Sequence, residues 1–313
     1  MKSHSLLCFL CLFAVGGFFS SCSINRMATK AVANALTGTG SSEVFTGDSD
    51  PELVGDALPF AIKMYEALLA AQPDHQGLIL TTGSLFVMYA NAFVQGPAEM
   101  LPLDRNEERK LAQERAKKFY IRGADILYDG LDKKYPGFKE AAADETLDQY
   151  LARMKKEDVP SLYWAVAGVL SAYSLDVFDF DLGFRLQELN AMIHRAYELD
   201  PDFNQGALDD FFILFYAQVP EGLGGNPALV QTHFERAVEK SGGKAAGPYI
   251  SYVQSVCIPA QDYSTFRDCL EKALAIDVDA DPGNRLVNVL NQRKAQYLLD
   301  NEEEYFLVIP WDD

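Results

Sequence analysis

The stretch from Ile193 to Glu239 restricts the fold more than any other part of the chain. One helix closes with Ile193, Ala196 and Leu199 on a shared face, the chain turns at Asp200-Pro201-Asp202, and Leu208, Phe211, Phe212, Phe215, Tyr216 and Val219 follow. Apolar residues at i, i+3, i+4, i+7 and i+8 make a continuous stripe along one face of an α-helix. The segment Val219-Pro220-Glu221-Gly222-Leu223-Gly224-Gly225-Asn226-Pro227 then stops that helix. Asn226 stands as the next N-cap and Pro227 as the first helical residue, and Phe234 and Ala237 return on the next helix.

An aromatic or aliphatic residue three positions before an Ala, with Pro a few residues later, resembles the second helix of a tetratricopeptide repeat, where a small residue lets neighbouring helices approach closely. Met64/Ala67 with Pro73, Ile193/Ala196 with Pro201, Phe234/Ala237, and Leu270/Ala273 with Pro282 all carry the pattern. The last three Ala positions are 41 and 36 residues apart, against about 34 for a regular repeat. The segment after Pro73 (Asp74-His75-Gln76-Gly77-Leu78) echoes Asp202-Phe203-Asn204-Gln205-Gly206-Ala207-Leu208 far down the chain. No alternating strand-like run of convincing length occurs. The expected fold is therefore all-α, an irregular TPR-like α-solenoid or helical bundle of about a dozen helices.

At the N-terminus, Lys2 precedes an apolar run from Leu6 to Phe19, too short to span a bilayer comfortably, which needs about 20 residues. It reads as a signal peptide over residues 1–21. Ser20-Ser21-Cys22 matches a lipobox, in which Cys22 is lipidated and becomes the new N-terminus; an ordinary secretory signal with an incidental Cys is the plainer reading. Residues 22–50 then form a lipidated segment with a Gly/Thr/Ser-rich tether or loop from Thr37 to Ser49, and residues 51–313 the helical domain. Cleavage would remove one Lys and no acid, taking the net charge from −18 to −19. So acidic a chain is a poor partner for nucleic acid and is repelled by anionic lipid heads, which leaves anchoring to the lipid on Cys22.

Asp50-Pro51-Glu52 starts a helix that runs to about Ala71. From Leu78 to Val94 and from Val159 to Leu175 the pattern is apolar nearly all round, which belongs in the middle of the molecule. Leu103 to Leu131 is different: Arg105, Arg109, Lys110, Arg115, Lys117, Lys118 and Arg122 concentrate there, with Glu107, Glu108 and Glu114 as helical partners. A solvated face accounts for it, and a docking patch centred on Arg115, Lys118 and Arg122 is the functional alternative. Glu145 to Met154 reads as a short helix, Ala245 to Val256 and Tyr263 to Ile276 as a pair, and Arg285 to Leu299 as the last helix. The apolar tail from Phe306 is expected to dock on the solenoid end.

Little in the chain carries chemistry. Asp277, Asp279 and Asp281 occupy positions 1, 3 and 5 of a calcium loop, but Pro282 stands where the turn requires Gly and Asn288 where a bidentate Glu belongs. Gly222-x-Gly224-Gly225 has neither a preceding strand nor a subsequent Lys-Ser/Thr, so a helix cap explains it better than a phosphate site. His75, His194 and His233 lack metal-ligand spacing, no catalytic motif stands out, and no metal, cofactor or enzyme activity is expected. Cys257 and Cys269 lie near the ends of successive helices and are compatible with either a disulfide or two buried thiols.

With these segments in view, the whole mature chain resembles the TatT family, lipoproteins built on tetratricopeptide-like helices and associated with TRAP transporters. The resemblance is carried by Tyr89-Ala90-Asn91-Ala92-Phe93, Tyr120-Ile121-Arg122-Gly123, Tyr163-Trp164-Ala165, Phe215-Tyr216-Ala217 with Pro220-Glu221-Gly222-Leu223-Gly224-Gly225, His233-Phe234-Glu235-Arg236-Ala237, and Lys294-Ala295-Gln296-Tyr297-Leu298-Leu299. It implies a periplasmic lipoprotein, anchored to a bacterial membrane, that forms a homotrimer and docks a TRAP-type substrate-binding protein. It also implies a cavity or pore that holds or passes a hydrophobic or amphipathic organic anion. The candidate cavity residues are Tyr89, Asn91, Phe93, Trp164, Tyr173, Phe215 and Tyr216, for which plain core is the bland reading. The alternative function is a scaffold lipoprotein in envelope assembly that binds proteins and no small ligand.

Overall fold

Helices without a polar face need partners on every side, and the sequence supplies the means of close approach in glycine. In the computed structural model, Gly83, Gly123 and Gly168 meet where three helices converge. A Cβ on Gly83 would lie 2.9 Å from the Gly123 carbonyl oxygen, one on Gly123 would lie 2.7 Å from the Gly83 oxygen, and one on Gly168 3.0 Å from the Tyr120 oxygen. Val87 fills the remaining space against both Gly123 and Gly168. No side chain larger than hydrogen fits these positions without moving a backbone.

The structure describes residues 27, 29–38, 40, 43–144 and 146–309. In chain order the helices are α1 (residues 29–36), α2 (Glu43–Thr46), α3 (Pro51–Ala71), α4 (Gln76–Ala90), α5 (Gly96–Glu99), α6 (Asn106–Lys134), α7 (Phe138–Ala142), α8 (Leu147–Leu151) and α9 (Val159–Leu175). They continue as α10 (Phe180–Gly183), α11 (Leu186–Leu199), α12 (Ala207–Gln218), α13 (Val230–Lys240), α14 (Gly247–Tyr252), α15 (Ile258–Ala260), α16 (Tyr263–Leu274) and α17 (Arg285–Asp300). Among the described residues there is no strand, and the fold is all-α. The start of α3 agrees with the sequence: Asp50 accepts from the Leu53 N–H at 3.0 Å, with Pro51 in the first turn.

Two short π-helical turns have no signature in the apolar periodicity. Asn91–Gln95 joins α4 to α5, and Val253–Cys257 joins α14 to α15. Each is followed by one residue and then a proline, Pro97 and Pro259. A proline has no N–H for the i−4 carbonyl and its ring crowds that oxygen, so the helix widens by a residue just upstream. By length and composition Gln76–Glu99 could cross a membrane. Here it is a core helix, flanked by α3, α6 and α9.

Helices α6 and α9 run antiparallel. Lys117 of α6 meets Asp176 beyond α9, while Lys134 at the other end of α6 meets Asp158 before it. The last helix returns to the first ones. From α17, Arg285 donates to the Gly47 carbonyl at 2.7 Å, Arg293 pairs with Glu52 of α3, and Lys294 pairs with Glu99 of α5. The order of helices thus closes into a ring. A large core runs from α1 to α13, and a smaller one joins α14, α16, α17 and Phe306, with Phe234 and Tyr252 between them.

Several expectations change in detail. The Thr37 to Ser49 stretch expected as a tether or loop carries α2, and the amphipathic segment before it forms α1 and lies against the domain: Ala33 is buried, Tyr65 donates to the Leu36 carbonyl at 2.8 Å, and His75 Nε2 lies 2.9 Å from Asn34 Oδ1. The two echoing turns differ, since His75 caps α4 through Leu78 N–H whereas α12 starts from left-handed Gly206. Of the tail, Phe306 docks against Phe266 and Tyr263, while Leu307 and Val308 are exposed. Cys257 and Cys269 are free and buried, and their mutual hydrogen bond, together with burial, pushes the Cys257 thiol up. Cys22 and its lipobox lie outside the described residues, as does Trp311.

Candidate functional site

Ring closure leaves one side of α4, α9, α12, α14 and α17 with half-buried polar groups that meet across helix boundaries. The first group is built on the π turn after α4. Tyr120 of α6, itself buried, donates its hydroxyl to Gln95 Oε1 at 2.7 Å, and the side chains of Asn91 and Ser171 lie near enough to interact with that hydroxyl. Gln95 donates to Glu99 at 2.6 Å, and Glu99 is held by Lys294 of α17. Asn91 is exposed, and Trp164 and Ser171, seven apart and so on one face of α9, are half-buried.

The second group lies on the same side of α17. Asn291, one turn before Lys294, approaches Gly247 of α14, and so does Asp210 of α12. Ser251 lies close enough to the Asp210 carboxyl to lower it slightly, but burial dominates and pushes it up to about 6. Tyr163 of α9 is raised as well, first by burial and then by the Asp210 charge. Asn291 and Lys294 link the two groups into one polar wall.

Of the residues singled out in the sequence, Asn91 belongs to the first group, and Trp164 lies on the Ser171 face of α9 with its ring edge-on to Tyr163 at 5.2 Å. Tyr89 and Phe93 face away from the first group: their rings stack at 5.9 Å, Tyr89 meets Phe119 of α6, and Phe93 covers Gly55 of α3. Tyr173 lies close to Gly183 of α10. Phe215 and Tyr216 are buried; Phe215 stacks on Phe211, and Tyr216 stacks on Phe212 at 4.9 Å with its hydroxyl 3.1 Å from His194 Nε2. Sequence reasoning passed over Gln95, Ser171, Asp210, Ser251 and Asn291. The available signal was a polar residue recurring inside otherwise apolar helices, the same signal that drew attention to Asn91.

On the outside, a groove of about 540 Å³ separates α3 from α6. Its floor includes Leu69, Ile79, Ile121 and Ile126, and Lys118 and Arg122 stand at its edge. Arg122 pairs with Glu66 and lies over Phe86, and Arg115 lies 5.0 Å over Phe119, so both are held by the domain. Lys118 is exposed and has no ion-pair partner among the described residues.

A second surface was missed altogether. Phe178, Phe180 and Phe184 around α10 are 81%, 75% and 83% exposed. They are not on a loose loop: Lys117 binds Asp176 and Asp179 at 2.7 and 2.8 Å, and Asp179 caps α10 through the Leu182 N–H.

The Pro220 to Gly225 motif has a backbone role. Gly224 is left-handed with φ of 113°, and a Cβ on Gly225 would lie 1.7 Å from the Val219 carbonyl oxygen, so the turn from α12 toward α13 tolerates only glycine there.

The fold is an all-α arrangement whose last helix returns to the first ones, with polar groups meeting between its helices. The chain matches the model of the TRAP transporter T-component family over residues 47–306, and it belongs to that family. It is also 34% identical over 315 residues to a protein of Treponema pallidum (strain Nichols) described as uncharacterized, covering 95% of this chain and 98% of that protein. Family membership makes it an auxiliary component of a TRAP transport system, with a periplasmic or membrane-associated location.

Proposed function

We propose that the inner wall holds or passes an amphipathic organic anion, and that the outer face of α6 docks the substrate-binding protein of the same TRAP system. The observation that carries the ligand reading is that exposed Asn91 and half-buried Ser171 interact with one Tyr120 hydroxyl from helices that otherwise bury apolar side chains. The groove beside Lys118 supports docking. The exposed phenylalanines support association of three copies, and lipidation of Cys22 would anchor the assembly at the membrane.

The chain has two tryptophans, so in a Trp311→Phe background all indole emission reports Trp164. Titration with medium-chain fatty acids should shift that emission saturably, and Asn91→Leu should weaken the response without lowering thermal stability. No shift with any organic anion, or an Asn91→Leu variant that mainly unfolds, would leave these residues as core and favour a protein-binding scaffold.

A further inference from the structure

Asp209 and Asp210 are neighbours in the first turn of α12 with opposite surroundings. Asp209 is fully buried and satisfied: His233 Nδ1 lies 2.7 Å from Oδ1, Tyr197 donates to the same oxygen at 3.2 Å, and Lys240 donates to Oδ2 at 2.8 Å. Asp210, about 100° further round the helix, points to α9, α14 and α17. Its Oδ1 is shielded from solvent and has no hydrogen-bond partner among the described residues. Its Oδ2 would lie 3.0 Å from a Cβ on Gly247, and the same Cβ would lie 3.6 Å from Asn291 Nδ2, so the missing side chain of Gly247 lets three helices close around the carboxyl. On the π turn just beyond Ser251, Ser255 Oγ is a second buried polar atom without a partner among the described residues.

No cation faces Asp210 among the described residues. Tyr163 faces it from α9. On α14, Tyr249 and Tyr252 stack against Phe234 of α13. His233 and Lys240 of α13 and Tyr197 of α11 are engaged with Asp209, and His194 of α11 with Tyr216. On α17, Lys294 is held by Glu99, and Cys257 on the π turn is paired with Cys269. A buried carboxyl with a free oxygen and no counter-cation is relieved by a proton, and the protonated group is a donor. Asn291 offers N–H donors beside it.

We propose that Asp210, Ser251 and Asn291 form a proton-dependent subsite for the anionic head of an amphipathic ligand, a carboxylate or sulfonate. On binding, one proton from solvent joins Asp210, which donates it through Oδ1 to a head-group oxygen, while Asn291 donates to another. The subsite rests on the reading of the inner wall as ligand-holding. Burial already pushes the carboxyl up to about 6, so the proton is taken up readily near neutral pH. Because one proton enters with each anion, affinity falls about tenfold for each pH unit above the pKa of the free site.

The test uses 1-anilinonaphthalene-8-sulfonate, which stays ionised throughout, so any proton taken up belongs to the protein. With the wild-type chain its dissociation constant should rise at least about tenfold between about pH 6.5 and 8.5. Asp210→Asn, whose amide donates without a proton, should bind with less than about twofold change over that range, and Ser251→Ala should weaken binding at every pH. A slope retained in Asp210→Asn, or an affinity that is flat or rises with pH in the wild type, as an ammonium-binding site would show, overturns the subsite. If the probe shifts Trp164 emission but the slope survives in Asp210→Asn, only the subsite fails; if neither it nor dodecanoate binds at any pH, the ligand reading of the wall fails with it.

Discussion

Replacing Asp210 by Asn should stabilise the protein at neutral pH, and replacing its neighbour Asp209 should do the reverse. Burial raises the Asp210 carboxyl from 3.8 to about 6; at about 1.4 kcal/mol per pKa unit, its ionised form costs the fold up to about 3 kcal/mol at pH 7 to 8. Asn removes the charge and keeps the shape, so a gain of about 1 to 3 kcal/mol is expected, and at about 2 to 4 °C per kcal/mol the melting temperature should rise by several degrees. The folded pKa lies above the unfolded one, so between the two the folded chain binds more protons. Wild-type stability therefore improves as pH falls through about 6, and the advantage of Asp210→Asn fades toward about pH 4. Burial alone would raise Asp209 too, but the hydrogen bonds from His233 and Lys240 outweigh it and hold that carboxyl below its usual range. Its contribution is present above the unfolded pKa and is lost as pH falls through the depressed folded value. Asp209→Asn should cost about 3 to 5 kcal/mol at neutral pH, the usual cost of breaking a buried pair. Thermal unfolding monitored by circular dichroism across pH decides the matter. If Asp210→Asn lowers the melting temperature at pH 8 as much as at pH 5, its carboxyl is a structural hydrogen bond and the contrast between the twin acids is wrong.

The surfaces lead to three other outcomes. Lys118→Glu, a reversal that disturbs neither an ion pair nor a ring contact among the described residues, should weaken binding of the cognate substrate-binding protein by about three- to tenfold at low salt and less at high salt; unchanged affinity in surface plasmon resonance would make the basic face a solvated one. Replacing Phe178, Phe180 and Phe184 by Ser should convert oligomers to monomers in sedimentation velocity without altering the melting temperature, and oligomers that persist would assign these rings to another partner. Cys22→Ser should abolish metabolic labelling with palmitate, and label retained on that variant excludes lipidation at this position.

The all-α fold was legible because periodicity and caps act locally. Asp50-Pro51 set the start of α3, and the 3.6-residue stripe from Leu208 to Val219 set α12. The inner wall was legible only through Asn91. Aromatic content pointed equally to Tyr89, Phe93, Phe215 and Tyr216, because a ring in an apolar helix has the same sequence signature whether it meets a cavity or another ring. Their partners Phe119, Gly55, Phe211 and Phe212 lie on other helices or faces, and the pairings depend on tertiary contacts. The exposed phenylalanines escaped for a related reason: the sequence shows Phe178, Phe180 and Phe184 between acids, but only the ion pairs of Lys117 with Asp176 and Asp179 fix them outward.

The two π turns tie these elements together. Asn91 and Gln95 stand at the ends of one, Ser255 lies in the middle of the other, and the two turns occupy the same place before Pro97 and Pro259. A straight α-helix through Gln76–Glu99 would keep a single register along its apolar length. The extra residue in the turn re-aims the residues beyond it by roughly a quarter turn, and it is on this stretch that Gln95 reaches Tyr120 and Glu99 reaches Lys294. In the second case the widened turn sits where α14 passes α12 and α17. The same local device, a proline two residues after a widened turn, thus recurs beside the polar wall in both halves of the ring, and it adapts helices that are otherwise suited to a dry core to carry polar groups along their inner side.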